Sequence, residues 1–111
     1  MREPTYYILA SLIDEPRHGW GIVREAGELS QGRIRLTAGT LYGALDRLQT
    51  DGLVEADHEE IVNGRCRRYY RLTALGQRSL QEEAARLAAS AQVVHERLSS
   101  IRPREIPGTA S

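Results

Sequence analysis

The chain has 111 residues, 41% of them apolar, enough for one modest core and too little for a second. Its 15 basic and 15 acidic residues cancel, so whole-chain charge neither implies nor excludes nucleic acid, and the local pattern has to carry that question. A single cysteine excludes a disulfide framework or a Cys-based zinc site, and no apolar run approaches the ~20 residues of a membrane span.

Pro4 suits the first turn of a helix, and Tyr6, Leu9, Ala10 and Ile13 share one face, which predicts a helix over about 4–14. Glu15-Pro16-Arg17-His18-Gly19 breaks it. A second helix over about 20–29 would bury Ile22, Ala26 and Leu29, and Ser30-Gln31-Gly32 would end it. Arg33-Ile34-Arg35-Leu36 alternates with period two and is expected as a short strand. Thr37 is a good N-cap, and Leu41, Ala44, Leu45 and Leu48 form one stripe, so a third helix is expected over 38–51. Gly52 fits the left-handed position just past its end.

Residues 53–73 read as a β-hairpin whose return strand, Arg65-Cys66-Arg67-Arg68-Tyr69-Tyr70-Arg71, carries four arginines and no acid. The outgoing strand carries Glu55, Asp57, Glu59 and Glu60. A two-residue turn at Asn63-Gly64 would set Asp57 against Tyr70 and Glu55 against Leu72, burying acids. A three-residue loop, Asn63-Gly64-Arg65, puts Val54, Ala56, His58 and Val62 on the core face with Leu72, Tyr70 and Cys66. It also pairs Asp57 with Arg71 and Glu60 with Arg68. Because a one-residue slip exchanges the two faces, the three-residue loop is the expected register.

From Thr73, an N-cap, a last helix is expected to run to about Ile101, with Leu80, Ala84, Leu87, Ala91, Val94, Leu98 and Ile101 at 4,3 spacing. That repeat signals helix pairing, so these seven are the candidate dimerisation residues. Residues 102–111 hold two prolines and are expected as a flexible tail. The expected fold class is mainly α with a small β-hairpin (α+β). It comprises a winged helix-turn-helix over 1–76, a dimerisation helix over 77–101 and the tail.

In such a module the third helix enters the major groove of DNA. With its leucines inward, Gly39, Gly43, Asp46 and Thr50 point outward, with Thr40, Tyr42 and Arg47 on the flanks. Two glycines leave no bulk between backbone and DNA, although each costs about 1 kcal/mol of helix stability relative to alanine. Asp46 is a poor neighbour for phosphate and is expected to pair with Arg47 or Arg33. On the hairpin, Arg68 and Arg71 balance acids, which leaves Arg65 and Arg67 as phosphate contacts. Thr37, Thr40, Tyr42, Gly43, Arg47, Arg65 and Arg67 are therefore the candidate DNA-binding residues. All 15 basic residues are arginine, for which a GC-rich genome is the preferred reading over bidentate phosphate binding.

Catalysis finds no constellation. His18, His58 and His95 lie on different elements, Gly19-Trp20-Gly21 is too short for a phosphate loop, and Cys66 is expected to be buried inside the hairpin. No enzyme activity, metal or cofactor is expected. Met1 is followed by Arg2-Glu3-Pro4 rather than a signal peptide, so a cytoplasmic location is expected.

Three segments resemble the PadR family of transcriptional regulators: His18-Gly19-Trp20-Gly21-Ile22, the run from Gly39 to Leu48 with Asp51-Gly52-Leu53-Val54, and the run from Gly64 to Gly76. The resemblance implies a homodimeric winged-helix repressor, dimerised by its C-terminal helices, on an operator often near its own gene. In some members a small molecule releases the DNA. The chain resembles the short form, with a single C-terminal helix. Two departures stand out. Gly43 occupies a position where many members have proline, and the last helix lacks the aromatic residue that some members stack on planar drugs. Trp20 with Tyr6 or Tyr7 remains a way to line a ligand cavity. Besides the operator-binding repressor, a small-molecule-responsive repressor with a pocket between subunits and a dimeric protein-interaction module without DNA binding stay open.

Overall fold

In the computed structural model, residues 1–101 are described, and the expected tail at 102–111 lies outside them. The elements are α1 (Glu3–Ala10), β1 (Arg17–His18), α2 (Gly19–Leu29), α3 (Ala38–Thr50), β2 (Val54–Val62), β3 (Arg65–Leu72) and α4 (Ala74–Ser99). Helices and a three-stranded antiparallel sheet of order β1-β3-β2 make this a winged helix of the α+β class. Residues 1–81 form one compact unit, and the part of α4 from Glu82 onward is a second.

The core of the first unit gathers Ile8, Leu9 and Leu12 with Ile22, the α3 stripe Leu41, Ala44, Leu45 and Leu48, and then Val54, Tyr70 and Leu80. Each fully buried leucine or isoleucine contributes about 1.5–3 kcal/mol by leaving water. Of the face expected for α1, Leu9 is buried and Tyr6 and Ala10 pack against the core, but the helix ends at Ala10, Ile13 is 66% exposed, and Ile8 and Leu12 also point inward. Leu29, expected inside, is also exposed.

The caps explain where the helices stop. Thr37 Oγ1 accepts from the Thr40 amide at 3.2 Å, as expected of the N-cap of α3. At its other end Gly52 has φ +76°, its amide donates to Gln49 and the Leu53 amide donates to Leu48, which together form a Schellman ending. The same pattern ends α2, where Gln31 takes the left-handed conformation and Gly32 donates to Gly27. That ending decides the fate of the next segment. Residues 33–36 form no strand, because buried Ser30 turns its Oγ to accept the Ile34 amide at 2.9 Å. The free edge of β3 is taken instead by Arg17 and His18, paired with Tyr70 and Tyr69, inside the stretch expected to be a break. Arg17 fixes this edge: its Nε donates to the Ser11 carbonyl at 2.7 Å, and its guanidinium pairs with Asp14, Glu15 and Glu25.

The hairpin register is also corrected. The turn is the two-residue one, with Asn63 at φ +52° and Gly64 at φ +76° between paired Val62 and Arg65. The acids stay out of the core because a β-bulge lies between Ala56 and His58. Asp57, as the extra residue, shifts the base of the hairpin by one, so Ala56 faces Tyr70 and Val54 faces Leu72.

Thr73 caps α4, accepting the Gly76 amide at 3.0 Å. Gly76 has to be glycine, since a Cβ there would collide with the Leu53 carbonyl. Leu80 packs in the core and Ala84 is half-buried, whereas Leu87, Ala91, Val94, Leu98 and Ile101 are exposed.

Candidate nucleic-acid interface

The surface formed by α3, the start of α2 and the hairpin holds most of the expected contacts. Gly39, Thr40, Asp46, Arg47 and Thr50 are exposed along α3, and Gly43 is half-buried. A Cβ at Gly39 would meet nothing within 4 Å, and one at Gly43 would meet only the Arg47 guanidinium at 3.8 Å. Neither glycine has a positive φ. The fold itself therefore needs neither, and the helix carries their cost of about 1 kcal/mol each without an internal reason. A partner backbone approaching this face is a reason.

Thr37 and Thr40 work as a pair. The Thr37 hydroxyl accepts from the Thr40 amide and donates to Thr40 Oγ1 at 3.0 Å, so Thr37 is occupied as a cap. Thr40 keeps its own proton to give outward. Tyr42 is 53% exposed with its ring resting against Gly19. Arg47 makes no ion pair among the described residues, and neither does Asp46. The expected Asp46–Arg33 pair is absent, since Arg33 binds Glu3 and donates to the Tyr7 hydroxyl at 3.2 Å.

The corrected register redistributes the hairpin arginines. Arg71 pairs with Glu55 at 2.8 Å and with Asp57 at 3.2 Å. Arg68 pairs with Glu59 at 3.3 Å rather than with Glu60. Arg65 and Arg67 make no ion pair among the described residues, although Arg67 stands opposite Glu60. Arg67 and Arg68 line a groove with His18, Gly19, Trp20 and Tyr42, so the hairpin and α3 share one concave surface. Trp20, not counted as a contact from sequence, is 74% exposed in that groove. In the sequence Trp20 stands out as part of the His18-Gly19-Trp20-Gly21-Ile22 resemblance and as a possible cavity residue, neither of which points to this groove. Cys66 is exposed rather than buried, because its neighbour across the hairpin is Ile61, itself 80% exposed. The Cys66 thiol donates to Glu59 at 3.2 Å, and that carboxylate pushes its pKa up, which makes it a poor nucleophile.

A ring cluster stiffens the hairpin. His58 stacks on Tyr69 at 4.4 Å, and His18 meets the same ring edge-on at 5.2 Å. His58 is held between Asp57 and Glu60, first by the Asp57 hydrogen bond and then by that of Glu60, and its pKa is raised. His18 is lowered, chiefly by burial and then by the charges of Arg67 and Arg24, with Glu60 opposing. The His58 contribution is fully present below the ordinary pKa near 6.5 and is lost as pH rises through its raised value. For His18 the loss comes as pH falls below that ordinary value. An NMR titration of the imidazole Hε1 protons should find His58 above 6.5 and His18 below it. Glu60→Gln should move both downward. Coincident midpoints near the ordinary value would show that the cluster does not form in solution.

Among the described residues no group of three or more His, Cys, Asp and Glu side chains is placed to hold a metal, and no helix is long and apolar enough to cross a membrane.

Residues 8–82 match the model of the transcriptional regulator PadR-like family. A transcriptional regulator of Mycobacterium tuberculosis is 38% identical over 88 residues, covering 79% of this chain and 78% of that protein. A PadR-like transcription factor from Bacteroides fragilis superposes with a TM-score of 0.69 at 32% identity, covering 83% of this chain and 86% of that one. A PadR family regulator from Clostridium difficile superposes at 0.73 with 22% identity, covering 87% and 99%, which speaks for the fold alone.

Proposed function

The chain belongs to the PadR-like family of transcriptional regulators, and on that premise we propose that it is a homodimeric repressor of a pseudo-palindromic operator. It is a regulator and not an enzyme. In this reading α3 enters the major groove, with Thr40, Tyr42 and Arg47 reaching bases or phosphates and Gly39 and Gly43 letting the backbone come close. Arg65 and Arg67 hold phosphates beside it, and Thr37 acts by fixing Thr40. The free part of the α4 stripe, Leu87 to Ile101, joins two copies, so that two α3 helices meet half-sites about 34–36 Å apart or a multiple of that.

The observation that supports this most is the outward face of α3: two helical glycines with no internal partner, flanked by exposed hydroxyl and guanidinium groups. Titration of the protein onto the duplex that precedes its own gene tests the reading. Binding that falls steeply with salt and saturates at two chains per site is the expected result. Affinity for duplex that does not respond to salt, or none at all, would favour a protein-interaction module on the same dimer.

A further inference from the structure

We infer that Gly19 is a positioning residue for Tyr42, a role that rests on the reading of Tyr42 as a DNA contact. Gly19 is buried at the first position of α2, and its φ is not positive, so backbone freedom is not what it supplies. What it supplies is room. A Cβ at this position would stand 2.5 Å from the Tyr42 hydroxyl oxygen, 3.1 Å from Cζ and 3.3 Å from Leu41 Cδ2. The end of the tyrosine ring therefore lies in the space that any other residue would fill. Tyr42 as a whole is 53% exposed, so this contact leaves about half of its surface open.

The contrast with the other glycines of this surface sharpens the assignment. Gly39 and Gly43 leave space toward solvent, whereas Gly19 leaves space for a side chain of the reading helix. The atom a methyl group would meet is the far end of a side chain and not backbone. Gly19→Ala should therefore leave the fold intact and turn the tyrosine away from the place where it meets DNA. A tyrosine whose hydroxyl has moved by an ångström or more loses a hydrogen bond to a charged oxygen, a loss of roughly tenfold in affinity.

The test uses the full chain as wild type, Gly19→Ala, Tyr42→Ala and the double variant, each titrated onto the operator duplex by fluorescence anisotropy. Each single variant should bind about tenfold more weakly, and the double variant no more weakly than Tyr42→Ala. A double variant showing the product of the two losses would overturn the proposal, as would a Gly19→Ala protein that binds like wild type. Urea unfolding of the same four proteins reads the packing without DNA: Gly19→Ala should lower the midpoint only where Tyr42 is present. An equal loss in the Tyr42→Ala background would mean that Gly19 serves the fold and not the tyrosine. If Tyr42→Ala alone binds normally, the positioning role falls while operator binding stands. If wild type binds no duplex, both fall.

Discussion

Leu87→Glu should turn the protein into monomers in sedimentation while its far-UV circular dichroism stays unchanged. Glutamate is as good a helix former as leucine, and Leu87 lies 41% exposed on α4, so the fold of one chain loses little. The loss comes on association. Val94 and Leu98 are 55% and 59% exposed, Ile101 is 39% exposed, and all continue the 4,3 spacing from Leu87. A single chain has no use for an apolar ridge of that length. In an isologous pair each leucine meets the partner's copy of the same surface, so one substitution puts two carboxylates into one apolar seam. Two buried leucines forgo about 1.5–3 kcal/mol each, before the cost of desolvating the charges. A monomer engages one half-site, so operator affinity should fall by roughly 100-fold or more through the loss of the tethered second contact. A dimer that persists in Leu87→Glu would exclude the stripe as the interface. A monomer that keeps full affinity would exclude the two-half-site arrangement.

The helices were largely legible because their signals are local. Thr37 caps α3, Gly52 closes it, and the Leu41-Ala44-Leu45-Leu48 stripe is buried as its spacing required. The strands were less legible because their partners are remote in sequence. Arg33 to Leu36 alternates like a strand, yet the Ser30 hydroxyl captures the Ile34 amide and the segment does not pair. Arg17 and His18 look like a loop after Pro16, yet the edge of β3 and the Ser11 carbonyl recruit them. The hairpin shows the difficulty most clearly. Its turn residues asked for two-residue closure and its acids asked for a different register, and the bulge at Asp57 satisfies both. No pairing with a single register could have shown that. The site followed the same rule: residues on α3 were found from helical spacing, whereas Trp20 and Gly19 join the surface only through tertiary contact.

Replacing Arg65 and Arg67 together with alanine should weaken operator binding by about tenfold or more at low salt and reduce the log–log salt slope by about two units. Arg65 and Arg67 are the hairpin arginines without an ion pair among the described residues. Arg71 bridges Glu55 and Asp57, and Arg68 is held by Glu59, so their charge is already balanced in the free protein. Arg65 sits at the turn opposite Val62, and Arg67 lines the groove opposite Glu60, whose carboxylate is engaged with His58. Each phosphate neutralised releases about 0.9 of a condensed counterion, so two lost contacts set the size of the slope change. Both side chains are exposed, which leaves folding and dimerisation unaffected and makes the slope a direct count. Arg68 supplies the internal control because it lines the same groove as Arg67 but carries a carboxylate partner, Glu59. Its exposed pair with Glu59 is worth about 0–1 kcal/mol, little enough for a phosphate to take over. If the double variant keeps the full slope and Arg68→Ala lowers it by about one unit, the phosphate contact belongs to the paired Arg68 and not to Arg65 and Arg67.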